Sequence, residues 1–162
     1  MRVGVAADHG GASLKAELLR RLATADRRLI DLGGDGSDPS DDYPDYSRLV
    51  GEAIRDGFAD RGIIVCGSGI GASVAASKMA GIRAAVAHDP YSARQGVEHD
   101  DLNVLCLGAR VVGVELALAC AEAFLGAQFS ATGRHARRVA KVLEIEASEA
   151  KRAAVPGLRR AP

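Results

Sequence analysis

Six consecutive residues, Cys66-Gly67-Ser68-Gly69-Ile70-Gly71, combine a thiol, a hydroxyl and three glycines. They follow the apolar run Ile63-Ile64-Val65, as expected of a parallel strand covered on both faces. A helical stretch of small residues then runs to Lys78. The glycines permit a tight turn and a close approach of backbone to ligand. Free N–H groups at the start of the next helix point back at that turn and favour an anion there. A thiol at the strand end, facing those groups, is favoured as the thiolate. The chemistry on offer is proton transfer beside a cradle for an oxyanion or a phosphate. The spacing G-x-G-x-G differs from the G-x-G-x-x-G of dinucleotide folds, and it follows the third expected strand rather than the first. The G-K-[ST] ending of a nucleotide P-loop is missing. A cysteine on a buried strand can equally serve packing.

Other residues could join this chemistry. Asp8-His9 ends the first expected strand and suits an acid/base pair or a ligand clamp, although an Asp there can also cap a helix. Ser68 could shuttle a proton or simply make the turn. His99, in Glu98-His99-Asp100-Asp101, precedes the fifth expected strand and could act as a general acid or base near neutral pH. Arg134 and Arg138 are four residues apart at the start of the last helix, so they share a face that could clamp a phosphate. Cations in a first helical turn oppose the helix dipole, which points to a use other than helix stability. Arg110, just after strand five, could add a further cation. His88 receives no role.

These groups need a scaffold. Apolar runs at residues 2–7, 28–32, 61–66, 82–87 and 103–107 predict five strands. Helical patterns lie between and after them. Leu14, Leu18, Leu19 and Leu22 form the apolar stripe of the first helix, with Lys15, Glu17, Arg20 and Arg21 on its other side. Residues 33–43 are turn-rich and acidic, hence a loop. Pro44 and Pro90 open helices, the second ending near Val97. Further helices are expected over 112–125 and from 134 to about 150. Strict β–α alternation implies a parallel sheet wound on both faces, a Rossmann-like three-layer αβα sandwich with a five-stranded parallel sheet. Ligands bind such sheets outside the carboxyl ends of strands, at a topological switch point. Asp8, His9 and Cys66 would meet there.

The bulk composition agrees. The 162 residues are 48% hydrophobic and only 4% aromatic, which suits helices layered on a parallel sheet. One domain over residues 1–150 is expected, with a basic flexible tail over 151–162. A net charge of +0 argues against broad nucleic-acid or membrane binding. Three scattered cysteines (Cys66, Cys106, Cys120) suggest neither a disulfide framework nor a metal site, and point to a reducing, cytoplasmic setting.

Taken in order, Asp8-His9-Gly10-Gly11, Asp42-Tyr43-Pro44, Cys66-Gly-Ser-Gly-Ile-Gly71, Ser77-Lys78-Met-Ala-Gly-Ile-Arg83-Ala, His99-Asp-Asp-Leu-Asn103-Val-Leu, Gly108-Ala-Arg110-Val-Val-Gly113-Val-Glu115 and Gly133-Arg134-His135-x-x-Arg138 resemble the type B ribose-5-phosphate isomerases. That family is shared with galactose-6-phosphate isomerase subunits. The resemblance spans roughly residues 2–148. It implies an aldose–ketose isomerase without cofactor or metal that interconverts D-ribose 5-phosphate and D-ribulose 5-phosphate. It makes Cys66 the base that moves a proton between C1 and C2 through a cis-enediolate. The N–H groups of Gly67, Ser68, Gly69, Ile70 and Gly71 would hold the developing oxyanion. Ser68 would pass a proton between the two oxygens, and His99 with Asp8 would open the furanose ring. His9, Arg110, Arg134 and Arg138 would grip the phosphate, with Tyr43 lining that end. The last-helix arginines would reach a neighbour's site, implying a homodimer or tetramer with shared sites. Some relatives replace the cysteine by a Glu in the following helix, but Ala72-Ser73-Val74-Ala75-Ala76 offers no acid. Asp100 stands where the family usually has an Asn on a sugar hydroxyl. That leaves open another sugar phosphate, such as allose 6-phosphate, galactose 6-phosphate or a tetrulose phosphate. A non-catalytic sugar-phosphate sensor is the remaining alternative.

Overall fold

The computed structural model describes residues 1–154, with the side chains of 153 and 154 left aside. Strands β1 (Arg2–Ala7), β2 (Arg28–Asp31), β3 (Arg61–Cys66), β4 (Ala84–Val86) and β5 (Val104–Gly108) form one sheet in the order β2-β1-β3-β5-β4. Every pairing is parallel. Helices α1 (Ala12–Leu22), α2 (Tyr43–Arg55), α3 (Ile70–Ala76), α4 (Pro90–Asp100) and α5 (Val114–Gly126) connect or follow the strands, and α6 (Gly133–Ala154) closes the chain. This is the expected α/β sandwich.

Side chains alternate across each strand and so divide the core in two. Val3, Val5, Ile63, Val65, Leu105 and Leu107 pack with Leu14, Leu18 and Leu22 of α1, Ala93 and Val97 of α4, and Phe124 of α5. Ala6, Ile64, Cys66, Val104 and Cys106 face the opposite way, onto Val50 of α2 and Ala72 and Ala76 of α3. Cys66 therefore points into the smaller of the two core clusters. From β1 the chain moves outward to β2, then back past β1 to β3. The switch point lies between β1 and β3, whose ends carry Asp8 and Cys66.

Three local features differ from expectation. Lys15 is not on the solvent side of α1 but is 4% exposed. Its ammonium group donates to Asp31 Oδ1 at 2.6 Å and to the Gly33 carbonyl at 3.1 Å, so the charge stays paired under the start of the 33–42 loop. Helix α4 continues three residues past Val97 and ends on Asp101, whose φ of 53° stops it. His99 thus sits in a last helical turn rather than in a loop. Helix α6 extends to Ala154, so the first four residues expected in the tail are helical. The rest of that tail, 155–162, lies outside the described residues.

Candidate active site

The cleft at the switch point has a volume of about 350 Å³ and is lined by Asp8, His9, Gly10, Tyr43, Cys66, Gly67, Ser68, Gly71, Arg110 and Val111. Helix α3 has only seven residues, shorter than the sequence implies, so its dipole is a minor source of charge stabilisation. Individual amides act instead. The Gly69 N–H donates to Cys66 Sγ at 3.1 Å, and Cys66 is 4% exposed. Gly69 adopts φ 82°, a conformation that costs a side-chain-bearing residue about 1–2 kcal/mol. That single left-handed residue turns the chain from β3 into α3. At Gly71 the constraint is space: a Cβ would lie 2.7 Å from the Tyr43 ring, which rests on the turn. The Ser68 hydroxyl accepts from the Ile70 N–H at 3.3 Å, and Ser68 is exposed to the cleft.

Neighbouring strand ends brace this turn. The Ala109 and Arg110 N–H groups donate to the Cys66 and Gly67 carbonyls at 2.9 and 3.0 Å, which ties Arg110 to the cleft. His88 Nε2 accepts the Gly108 N–H at 3.0 Å, a link the sequence reading left without a role. Asp8 is 8% exposed, and its Oδ1 accepts the Gly11 N–H at 3.1 Å. It therefore serves the opening of α1 while also facing the thiol cleft. Burial pushes its carboxyl above the ordinary range, against the pull of neighbouring His9.

His9 lies at the cleft mouth and is held by a residue that no motif indicated. Asp41 Oδ1 accepts the His9 N–H at 2.9 Å and lies 2.6 Å from His9 Nδ1. That bond, with the nearby charges of Asp41 and Asp8, raises the imidazole above its usual value. Burial alone would lift Asp41, but the His9 bonds and the Tyr46 hydroxyl outweigh it and hold the carboxylate low. The same bond pushes the Tyr46 phenol up to about 12.

The other expected site residues lie elsewhere. Parallel strands require α4 to return from the carboxyl end of β4 to the amino end of β5. His99 and Asp100 consequently sit at the opposite edge of the sheet from Cys66, on the order of 15 Å away for a six-residue strand. Arg83 at the entrance to β4 marks that edge, donating to the Asp101 carbonyl and carboxylate at 2.6 Å each. The start of α6 lies beside it. His135 stacks on His99 with ring centroids 4.0 Å apart, and Arg134 Nε donates to His135 Nε2 at 3.3 Å. Burial, then the nearby charges of His99, Arg134 and Arg138, pushes His135 below its usual value. The direct Asp8–His99 partnership expected from sequence is therefore not present within one copy. Two separate clusters result: a thiol cleft, and a basic patch where the C-terminal end of α4 meets the start of α6.

A family model for Ribose/Galactose Isomerase matches residues 3–142. The chain belongs to the ribose/galactose isomerase family. Ribose-5-phosphate isomerase B of Escherichia coli is 44% identical over 145 residues, covering 90% of this chain and 96% of that protein. The Clostridium thermocellum ribose-5-phosphate isomerase B structure superposes with a TM-score of 0.86 at 47% identity, over 92% of this chain and 99% of that one. D-erythrulose-4-phosphate isomerase 2 of Mycolicibacterium smegmatis is 37% identical over 149 residues, covering 90% and 97%. As a member of the ribose/galactose isomerase family the chain is an isomerase, and its thiol cleft has the groups for moving a proton on carbon.

Proposed function

We propose that this chain interconverts D-ribose 5-phosphate and D-ribulose 5-phosphate, with Cys66 as the base. The observation that carries the reading is the Cys66 thiol, buried at the end of β3 with an amide donor 3.1 Å from its sulfur, in a cleft that also holds His9 and Arg110. In the open-chain aldose the thiolate takes the proton from C2. The C2–H electron pair forms the C1–C2 double bond, and the carbonyl pair moves onto O1. Amides of the 67–71 turn stabilise that charge, the electrostatic contribution that is often largest in such reactions. Ser68 relays the O2 proton to O1, and the thiol returns its proton to C1, leaving a ketone at C2. His9 and Arg110 hold the phosphate, and Tyr43 lines that end.

The remaining groups complete this site from a second copy. The separation of His99, Asp100, Arg134 and Arg138 from Cys66 along the sheet is too long for one small sugar phosphate to bridge within a protomer. A homodimer that sets the α4–α6 patch of one copy over the thiol cleft of the other would unite them. His99 would then open the ring opposite Asp8, and Arg134 and Arg138 would join the phosphate grip. A tetramer built from such dimers would serve equally.

A second substrate reading has specific support. Asp100 replaces the usual Asn, and a relative named for D-erythrulose 4-phosphate matches across 90% of this chain. The test is coupled turnover, without added metal, on ribose 5-phosphate, erythrulose 4-phosphate, allose 6-phosphate and galactose 6-phosphate. The highest kcat/KM on ribose 5-phosphate is the expected result. A higher value on the tetrulose phosphate would keep the chemistry and change the substrate. Binding without turnover on every sugar would leave a sensor.

A further inference from the structure

The 33–42 loop is fastened over the end of β1 at several points. The Ala7 N–H donates to the Gly33 carbonyl at 3.3 Å, and Asp31 Oδ1 accepts both Lys15 Nζ at 2.6 Å and the Gly33 N–H at 3.0 Å. Asp38 Oδ1 accepts the Ser40 N–H and hydroxyl at 2.9 and 2.6 Å. The loop thereby delivers Asp41 onto His9. The Asp41 side chain is 10% exposed, against 40% for His9. One oxygen of Asp41 meets both the backbone N–H and the Nδ1 of His9, which fixes the ring as well as the main chain. The nearby Tyr46 hydroxyl, on α2, helps keep the same carboxylate ionised.

This geometry has a chemical consequence. An ionised carboxylate at Nδ1 requires a proton on that nitrogen. A neutral ring would then present Nε2 as an acceptor, which repels an anion. Only the imidazolium presents an Nε2–H donor. We propose that Asp41 is a positioning residue that holds His9 as an imidazolium with Nε2–H toward the substrate phosphate, so that phosphate binding persists to higher pH. The proposal rests on the reading of His9 as part of the phosphate grip. The charged and titratable groups near His9 are Asp8 just after β1, Asp38 and Asp41 on the loop, Tyr43 on α2, Cys66 on β3 and Arg110 after β5, with Tyr46 of α2 acting on Asp41. The carboxylates favour the imidazolium, and Arg110 opposes it. The raised imidazole value agrees in direction. A raised value means the charge is present at low pH and lost only as pH rises through it, so the benefit is felt above the ordinary imidazole value.

The test compares wild type, Asp41→Asn and Tyr46→Phe. KM and kcat on ribose 5-phosphate are measured from pH 6 to 9, and the His9 ring titration is followed by NMR, assigned by its loss in His9→Asn. Because the substrate's own phosphate titrates near pH 6, the informative quantity is the variant-to-wild-type KM ratio at each pH. For Asp41→Asn that ratio is expected near one at pH 6 and about tenfold at pH 8, with kcat little changed, while the His9 midpoint falls by about one pH unit. Tyr46→Phe moves both in the same direction by less, and it keeps the test open should Asp41→Asn fold poorly. A KM ratio independent of pH, or an unmoved His9 midpoint in a folded variant, overturns the proposal. If wild type does not turn over ribose 5-phosphate, the substrate reading fails. The His9 midpoint, with calorimetric binding of inorganic phosphate across the same pH range, still decides the role of Asp41.

Discussion

The Cys66 cleft and the His99–His135 patch are made of different material. The cleft is assembled at strand ends, where Asp8 and Cys66 are 8% and 4% exposed and each hydrogen-bonds a backbone amide. The patch sits on helix termini, with Arg134 and Arg138 exposed and two imidazoles stacked on one another. Burial fixes the geometry of the cleft and keeps its groups pre-organised before substrate arrives. The patch has charge in plenty but, among the described residues, no buried thiol. Each region has what the other lacks, and they lie at opposite edges of one sheet. The difference teaches that a thiol in the core has its geometry fixed by burial, whereas a cluster of cations on exposed helix ends keeps its charge at the surface, open to whatever binds there.

The sharpest way to separate the two regions is to remove one function from each. Cys66→Ala is expected to lower kcat by about 10³-fold or more while the fold survives, as for loss of an essential proton carrier. Steady-state rates and the circular dichroism spectrum check it. Full activity in that variant would erase the distinction between a chemical and a gripping region. Arg138→Ala is expected to act mainly through KM, raising it about 10- to 100-fold, the range for one charge-assisted hydrogen bond. Its thermal midpoint should match wild type, because the side chain is exposed. A collapse of kcat with unchanged KM would assign chemistry to the patch. Gly71→Ala tests the cleft wall and should be mildest, about a tenfold drop in kcat/KM, since the Tyr43 ring must swing aside and is 39% exposed. An unchanged rate would show that the Tyr43–Gly71 contact does not shape the site.

Much of the cleft was legible in the sequence. The Ile63-Ile64-Val65 run, the glycine turn and the strict β–α alternation all report local physics, and they placed Asp8, His9 and Cys66 on one sheet edge. Asp41 was not legible. It sits in a loop dense with acids, Asp35, Asp38, Asp41 and Asp42, and only the folded path selects the one that reaches His9. His88 escaped notice for the same reason, because its partner is a backbone N–H twenty residues away. His99 looked like a loop residue because the sequence turns polar after Val97, yet the helix runs three residues further before Asp101, in a left-handed conformation rare outside glycine, ends it. Lys15 followed the polar side of its helix by pattern, yet a partner on β2 drew it inward. The patch on α4 and α6 carried a sequence signal, cations placed against the helix dipole. Its distance from Cys66 became visible only once the strand order and direction were known.

The most direct test of a site shared between copies is subunit mixing. Cys66→Ala and Arg138→Ala chains, each nearly inactive under limiting substrate, are co-refolded in equal amounts and assayed against the separate variants. Shared sites predict recovery toward about a quarter of the wild-type rate, because half of randomly paired dimers are hybrids with one complete site. Mixed chains that demonstrably exchange yet stay as inactive as the parents would contradict it, and would place the whole reaction within a single copy.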